Sequence, residues 1–235
     1  MISLVQHIKE EFKFRINRDS AKYTYNYFPK TRYELRKIIQ DHYDAGVYNL
    51  NDIDVSQIED FRQLFFEDEN TGNPKFDISK WDVSRGKYFY CMFGGCDKFN
   101  CDLSKWDVSN GEDFKIMFSG CTNFDADLSN WNVSNGKDFL CMFYNCEKFN
   151  SDLSKWNVNK SINFNAMFYR CEKFNCDLSK WDVSNGEDFT SMFSGCINFN
   201  ADLSNWNVNK GKYFSNMFTK CPIKQEFKPK HKDIR

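Results

Sequence analysis

The residues of this 235-residue chain that could do chemistry are ten cysteines, a recurring aspartate and a recurring serine. Six cysteines (Cys96, Cys121, Cys146, Cys171, Cys196 and Cys221) follow one another at a constant step of 25. Thiols at fixed spacing suggest disulfides or a metal. Yet no Cys-x-x-Cys occurs, and the three histidines, His7, His42 and His231, are scattered. Parallel side chains on neighbouring coils also make a poor disulfide dihedral. The column therefore reads as small buried side chains, and all ten thiols, Cys91, Cys101, Cys141 and Cys176 included, are expected to be free. Asp77, Asp102, Asp127, Asp152, Asp177 and Asp202 keep the same step, with a serine two places after each. Stacked carboxylates repel unless each accepts N–H bonds in its own turn. Calcium ladders need Gly-rich nonapeptides, which are missing, so this column is expected to cap turns. The Asn100, Asp125, Asn150, Asn175 and Asn200 column has the same reading. No histidine recurs with the serines, and the glycines come singly rather than in a phosphate-cradling loop. No catalytic, cofactor-binding or metal-binding residue is assigned, and enzyme activity is not expected.

The elements that carry these columns follow from the period. Trp81, Trp106, Trp131, Trp156, Trp181 and Trp206 share the step of 25, as do Phe93, Phe118, Phe143, Phe168, Phe193 and Phe218, each preceded by Met. A fixed period of this length marks a repeat array. Trp106 and Val108 alternate with polar residues as a half-buried strand would. Phe114, Met117, Phe118 and Cys121 then fall at i, i+3, i+4 and i+7, a helical stripe, behind Ser109-x-x-Glu112, which fits a capping box. The expected fold is an α/β solenoid, a leucine-rich-repeat-like right-handed coil with one short strand and one short helix per repeat. The Trp, Phe and Cys columns form its core. At about 4.8 Å per coil, one degenerate and six regular repeats make a rod on the order of 35 Å long. The expected organisation is an N-terminal amphipathic segment (1–20), an α/β N-terminal cap (21–49), the repeats (50–221) and a basic C-terminal tail (222–235). The cap holds alternating Tyr23, Tyr25 and Tyr27 and a helix opened by Thr31-x-x-Glu34, with Leu35, Ile38, Ile39 and Tyr43 inward. The tail is expected to do no more than solvate an end.

The run Asp-Leu-Ser-x-Trp-Asp-Val-Ser-Asn, followed by Met-Phe-x-x-Cys-x-x-Phe-Asn, resembles the repeat of the BspA-like leucine-rich-repeat surface proteins, including the 25-residue mycoplasma-lipoprotein type. The resemblance covers residues 50–221 and reaches the helix near Phe28–Leu35. One departure is Gly111-Glu112-Asp113-Phe114 and its equivalents, where the family has Val-Thr-x-Met. The resemblance implies a binding or adhesion scaffold with no catalytic residues to carry over.

Composition sets the remaining bounds. Lys and Arg number 32 against 33 Asp and Glu, and 18% of residues are aromatic. The charge balance opposes nucleic-acid binding, and the aromatic content opposes disorder. No apolar run approaches a membrane span. The opening Met1–Glu11 lacks the pattern of a signal peptide, so a cytoplasmic or virion-associated location is expected over classical secretion. Function is expected where coils differ, and Tyr88, Tyr90, Tyr144, Tyr169 and Tyr213 are the candidate partner-binding residues, since tyrosine favours interfaces. The expected partner of this monomer is a protein or cell-surface macromolecule. An architectural part of a virion or other assembly, tethered by the N-terminal helix, is the alternative.

Overall fold

The structure, a computed structural model, describes residues 25–234; the amphipathic segment and Tyr23 lie outside them. Helix α1 (Arg32–Asp44) is the one α-helix among the described residues. Thr31 Oγ1 accepts the Glu34 N–H at 3.2 Å, and the Glu34 carboxylate accepts the Lys30 N–H at 2.7 Å. That satisfies donors the first turn leaves open. Leu35 and Ile39 are buried, while Ile38 and Tyr43 pack partly covered beside them. Ahead of α1, Tyr27 bridges Ile53 in parallel.

His42, which periodicity did not single out, fastens α1 to the first coil. Its Nδ1 lies 2.8 Å from Ile38 O and its Nε2 3.2 Å from Asp52 Oδ1. Both partners only accept, so the imidazolium alone satisfies both. Burial pulls the His42 pKa down, but the bonds to Asp52 and Ile38 outweigh it and hold it above the ordinary 6.5. Asp52 is raised by burial and lowered further by His42 and Asn26, ending below its ordinary 3.8. A raised histidine stabilises fully below its unfolded pKa and stops doing so as pH rises through the folded one; a lowered aspartate fails as pH falls through its own. In a pH series of thermal melts, the advantage of wild type over Asp52→Asn is expected to be largest between the ordinary values 3.8 and 6.5. It should shrink as pH rises through the folded pKa of His42. An advantage that grows with pH would refute the latch.

The repeating unit is built from turns. In the coil of Trp106, six i to i+3 bonds close corners: Trp106 N–H to Leu103 O (3.0 Å), Gly111 to Val108 (2.8 Å), Met117 to Phe114 (3.3 Å), Ser119 to Ile116 (3.1 Å), Cys121 to Phe118 (3.0 Å) and Phe124 to Cys121 (3.0 Å). The stretch expected to be a helix is two turns back to back, 114–117 and 118–121. Their third residues, Ile116 (φ 60°) and Gly120 (φ 79°), are left-handed, the signature of type II turns and incompatible with a continuous helix. Every coil repeats this pair, with Cys91, Cys141, Ala166, Ser191 and Asn216 at the first left-handed site. Non-glycine residues there cost roughly 1 kcal/mol each. The cost is offset because the same turns aim Phe, Met and Cys inward and Phe114, Ile116, Phe118 and Gly120 N–H at the next coil. These reach Asp138, Leu140, Met142 and Tyr144 O at 2.8 to 3.2 Å. The expected strand at Trp106–Val108 is likewise absent. Parallel bridging falls at Asp60, Tyr88, Asp113, Asp138, Asn163, Asp188 and Tyr213, each paired with the next.

Stacking these polygons makes columns of rings. The tryptophans lie 6.4 to 6.5 Å apart with planes within 7°. Phe93, Phe118, Phe143, Phe168, Phe193 and Phe218 stack at 5.5 to 5.7 Å. Each Trp Nε1–H donates to a carbonyl of the preceding coil, as from Trp131 to Leu103 O at 3.0 Å, so no indole polar group is stranded in the core. The buried Cys121 thiol likewise donates to Phe93 O at 3.0 Å.

The C-terminal tail is a lid, a correction to its reading as a solvated end. Ile223 and Ile234 are buried, His231 lies 4.4 Å from the Phe214 ring, and Leu203 N–H donates to Phe227 O at 2.8 Å. The tail's apolar residues are too sparse to show a period, but the last coil leaves Phe214 and Phe218 without a ring above them, and they collect these residues.

Candidate interaction surface

The polar columns are occupied by the fold itself. Asp77, Asp102, Asp127, Asp152, Asp177 and Asp202 each accept the N–H of the serine two places on, at 2.8 to 2.9 Å. For Asp102, the hydroxyl and N–H of Ser104 hold the carboxyl below its usual range, while Asp127 pushes the other way. The second column accepts bonds between coils: Asn100 Oδ1 takes the Asp125 N–H, Asp125 that of Asn150, Asn150 that of Asn175, and Asn175 that of Asn200, at 2.9 to 3.0 Å. No group of three or more His, Cys, Asp or Glu is placed to hold a metal among the described residues.

All ten cysteines are free thiols in the structure. Burial pushes Cys141 and Cys101 up to about 11, and Cys146 well above its ordinary value. Since the thiolate is the nucleophile, alkylation of folded protein at neutral pH is expected to be slow throughout. It should reach the half-buried Cys101 and Cys141 before the fully covered Cys146. Peptide mapping over time checks this, and equal rates at Cys141 and Cys146 would contradict it.

The five candidate tyrosines do not form one site. Tyr88 and Tyr213 share a column at opposite ends of the regular coils, 40% and 60% exposed. Tyr90 lies one column over from Tyr88. The Arg62 guanidinium sits 5.4 Å over the Tyr88 ring and the Lys115 ammonium 5.9 Å over Tyr90. Tyr144 and Tyr169 meet on adjacent coils, their rings 4.6 Å apart and 5° from parallel. Exposed Phe66 stands in that same column, three coils before Tyr144. The set thus separates into a pair near α1, a central stack and a lone ring at the far end.

A further feature lies in a column that holds no tyrosine. Glu59, Lys87, Glu112, Lys137, Ile162, Glu187 and Lys212 occupy equivalent positions. Consecutive members pair as Glu59 with Lys87 (2.9 Å), Glu112 with Lys137, and Glu187 with Lys212 (2.8 Å). Ile162 breaks the alternation and is 53% exposed. Beside it, Ser161 replaces the glycine of the other coils. At Gly136 an added Cβ would lie 2.5 Å from Phe139 Cζ. Where Ser161 stands, the Phe139 to Phe164 spacing opens to 6.3 Å against 5.5 Å for Phe114 to Phe139. The signal was present in the sequence as one hydrophobic residue in a column otherwise charged. Comparing coils column by column finds it, whereas searching for rings does not.

No described helix is long and apolar enough to cross a membrane. No curated protein and no solved structure matches the chain. One family model matches it in two overlapping segments, residues 34–153 and 137–230, which run from α1 through the last coil into the lid. The chain belongs to the family described as Mycoplasma protein of unknown function, DUF285.

Proposed function

We propose that the protein is a non-enzymatic solenoid scaffold of the BspA-like kind, a monomer that engages another protein or a cell-surface macromolecule through the outer positions of its coils. One observation carries this reading. The repeated aspartate, asparagine, cysteine and tryptophan side chains have hydrogen-bond partners within the fold, which leaves the outward-pointing residues among those that vary from coil to coil. Exposed large apolar side chains gather among those variable positions, with Tyr88, Tyr144, Ile162, Ile197 and Tyr213 between 37% and 60% exposed. Rings at such positions favour binding because they offer large area at low ordering cost. The charge pairs between coils keep the surrounding face polar and near neutral, which suits a reversible interface.

The test is affinity capture with full-length protein from extracts of its source, comparing wild type with the double variant Tyr144→Ala/Tyr169→Ala. A partner held by wild type and lost by the variant at unchanged melting temperature supports the reading. An identical captured set would remove the central ring stack from the interface, and the absence of any specific partner would overturn the scaffold.

A further inference from the structure

We propose that the edge of the two middle coils, around Ile162, is a docking site for an acidic peptide segment bearing an apolar side chain. This rests on the scaffold reading and names its partner's chemistry. Three features coincide there. First, the face loses its carboxylates. From each tryptophan's flank to the residue after its glycine, the neighbouring coils carry Asp107 and Glu112 on one side and Asp182 and Glu187 on the other. The coils of Trp131 and Trp156 carry Lys137, Lys155 and Lys160 with asparagines between them. Asp138, next along, is turned to the Leu140 N–H at 3.0 Å and faces Lys115.

Second, the cations differ in what holds them. Lys137 is matched by Glu112. The Lys160 ammonium instead rests on a neutral acceptor, Asn135 Oδ1, at 2.7 Å. An incoming carboxylate gains that charge without displacing an ion pair. Third, an open hollow of about 480 Å³ lies there, lined by Lys137, Asn159, Lys160, Ile162 and Asn185. Its apolar wall is the exposed Ile162, at the one position where the charge alternation is interrupted. A carboxylate on Lys160 with an apolar side chain on Ile162 satisfies all three features. A purely ionic polymer would leave Ile162 unused, and a purely apolar one would strip water from two lysines.

The matched control is Lys148, which lies in another column, outside the hollow, and likewise rests on an asparagine, Asn123 Oδ1, at 2.6 Å. The probe is a short fluorescein-labelled peptide of alternating glutamate and leucine, titrated against full-length protein by fluorescence anisotropy. Its glutamine–leucine counterpart, polyglutamate and heparin serve as comparisons. The expected result is saturable, salt-sensitive binding of the glutamate–leucine peptide. It should weaken about tenfold or more in Lys160→Glu, weaken also in Ile162→Ser, and stay within about twofold in Lys148→Glu. Equal binding of the neutral peptide, equal binding of polyglutamate or heparin, equal loss in Lys148→Glu, or no binding at all would each overturn the proposal. If the captured partner responds to the Tyr144 and Tyr169 substitutions while the peptide does not bind, the scaffold stands and this site falls.

Discussion

Trp156→Ala is expected to destabilise the protein by roughly 3–5 kcal/mol, the cost of truncating a buried ring of this size, and to split its unfolding into two steps. The ring is 3% exposed and stacks on Trp131 and Trp181 at 6.4 Å on each side. Its Nε1–H donates to Leu128 O at 3.0 Å, and Phe139 and Phe143 tilt against it at 6.2 Å. Alanine leaves a cavity and a buried carbonyl with one donor fewer. In a stacked array stability is close to a sum of unit and neighbour terms, so the break is local. It falls where Ser161 already holds the Phe139 and Phe164 rings apart. The two halves should then melt separately. Tyr169→Ala removes only the outer ring stack on Tyr144 and should cost at most about 1 kcal/mol. Denaturant curves of both variants decide it, and a mild Trp156→Ala beside a severe Tyr169→Ala would reverse inside and outside.

Deletion of residues 223–235 is expected to unravel the last coil. Ile223 and Ile234 are each under a tenth exposed, His231 lies against the Phe214 ring, and Phe227 packs partly buried against the core. Burying the two isoleucines alone contributes about 3–6 kcal/mol as an upper figure. The lid's bonds to the Leu203 and Asn200 positions are lost with it. Hydrogen exchange should show the amides of Met217 to Cys221 losing protection first, with loss spreading toward the middle coils, and the truncated protein should self-associate through its bared Phe214 and Phe218. Unchanged protection in that coil would show that the tail is no lid.

How much of this was legible depends on what each pattern encodes. Trp, Phe and Cys at a step of 25 reveal the period and the buried columns directly, because a ring that must be covered by the next coil recurs in every coil. Asp102 and Ser104 reveal a turn because a short carboxylate two residues ahead of an N–H has few other uses. The path of the chain within a coil was not legible. Two turns back to back, 114–117 and 118–121, place apolar residues at the same i, i+3, i+4 and i+7 as a helix does, so periodicity alone cannot separate them. The left-handed residues do separate them, but at Ile116, Cys141 and Ala166 they are not glycine, and tertiary bonding overrides local preference. His42 escaped notice because a lone histidine on a helix reveals nothing until Asp52 is folded beneath it. The tyrosines were scattered by a search for residue type, whereas Ile162 is meaningful only against its own column.

Each coil is a chain of turns bonded to its neighbours. Scalar couplings across hydrogen bonds, measured by NMR on isotope-labelled protein, test it most directly. The Phe118 amide nitrogen should couple to the carbonyl carbon of Met142, one coil on, across the 2.9 Å bond, and Ile116 to that of Leu140. Coupling of Phe118 to the carbonyl of Phe114, four residues back in its own coil, would mean that the stretch is a helix after all and would contradict the account.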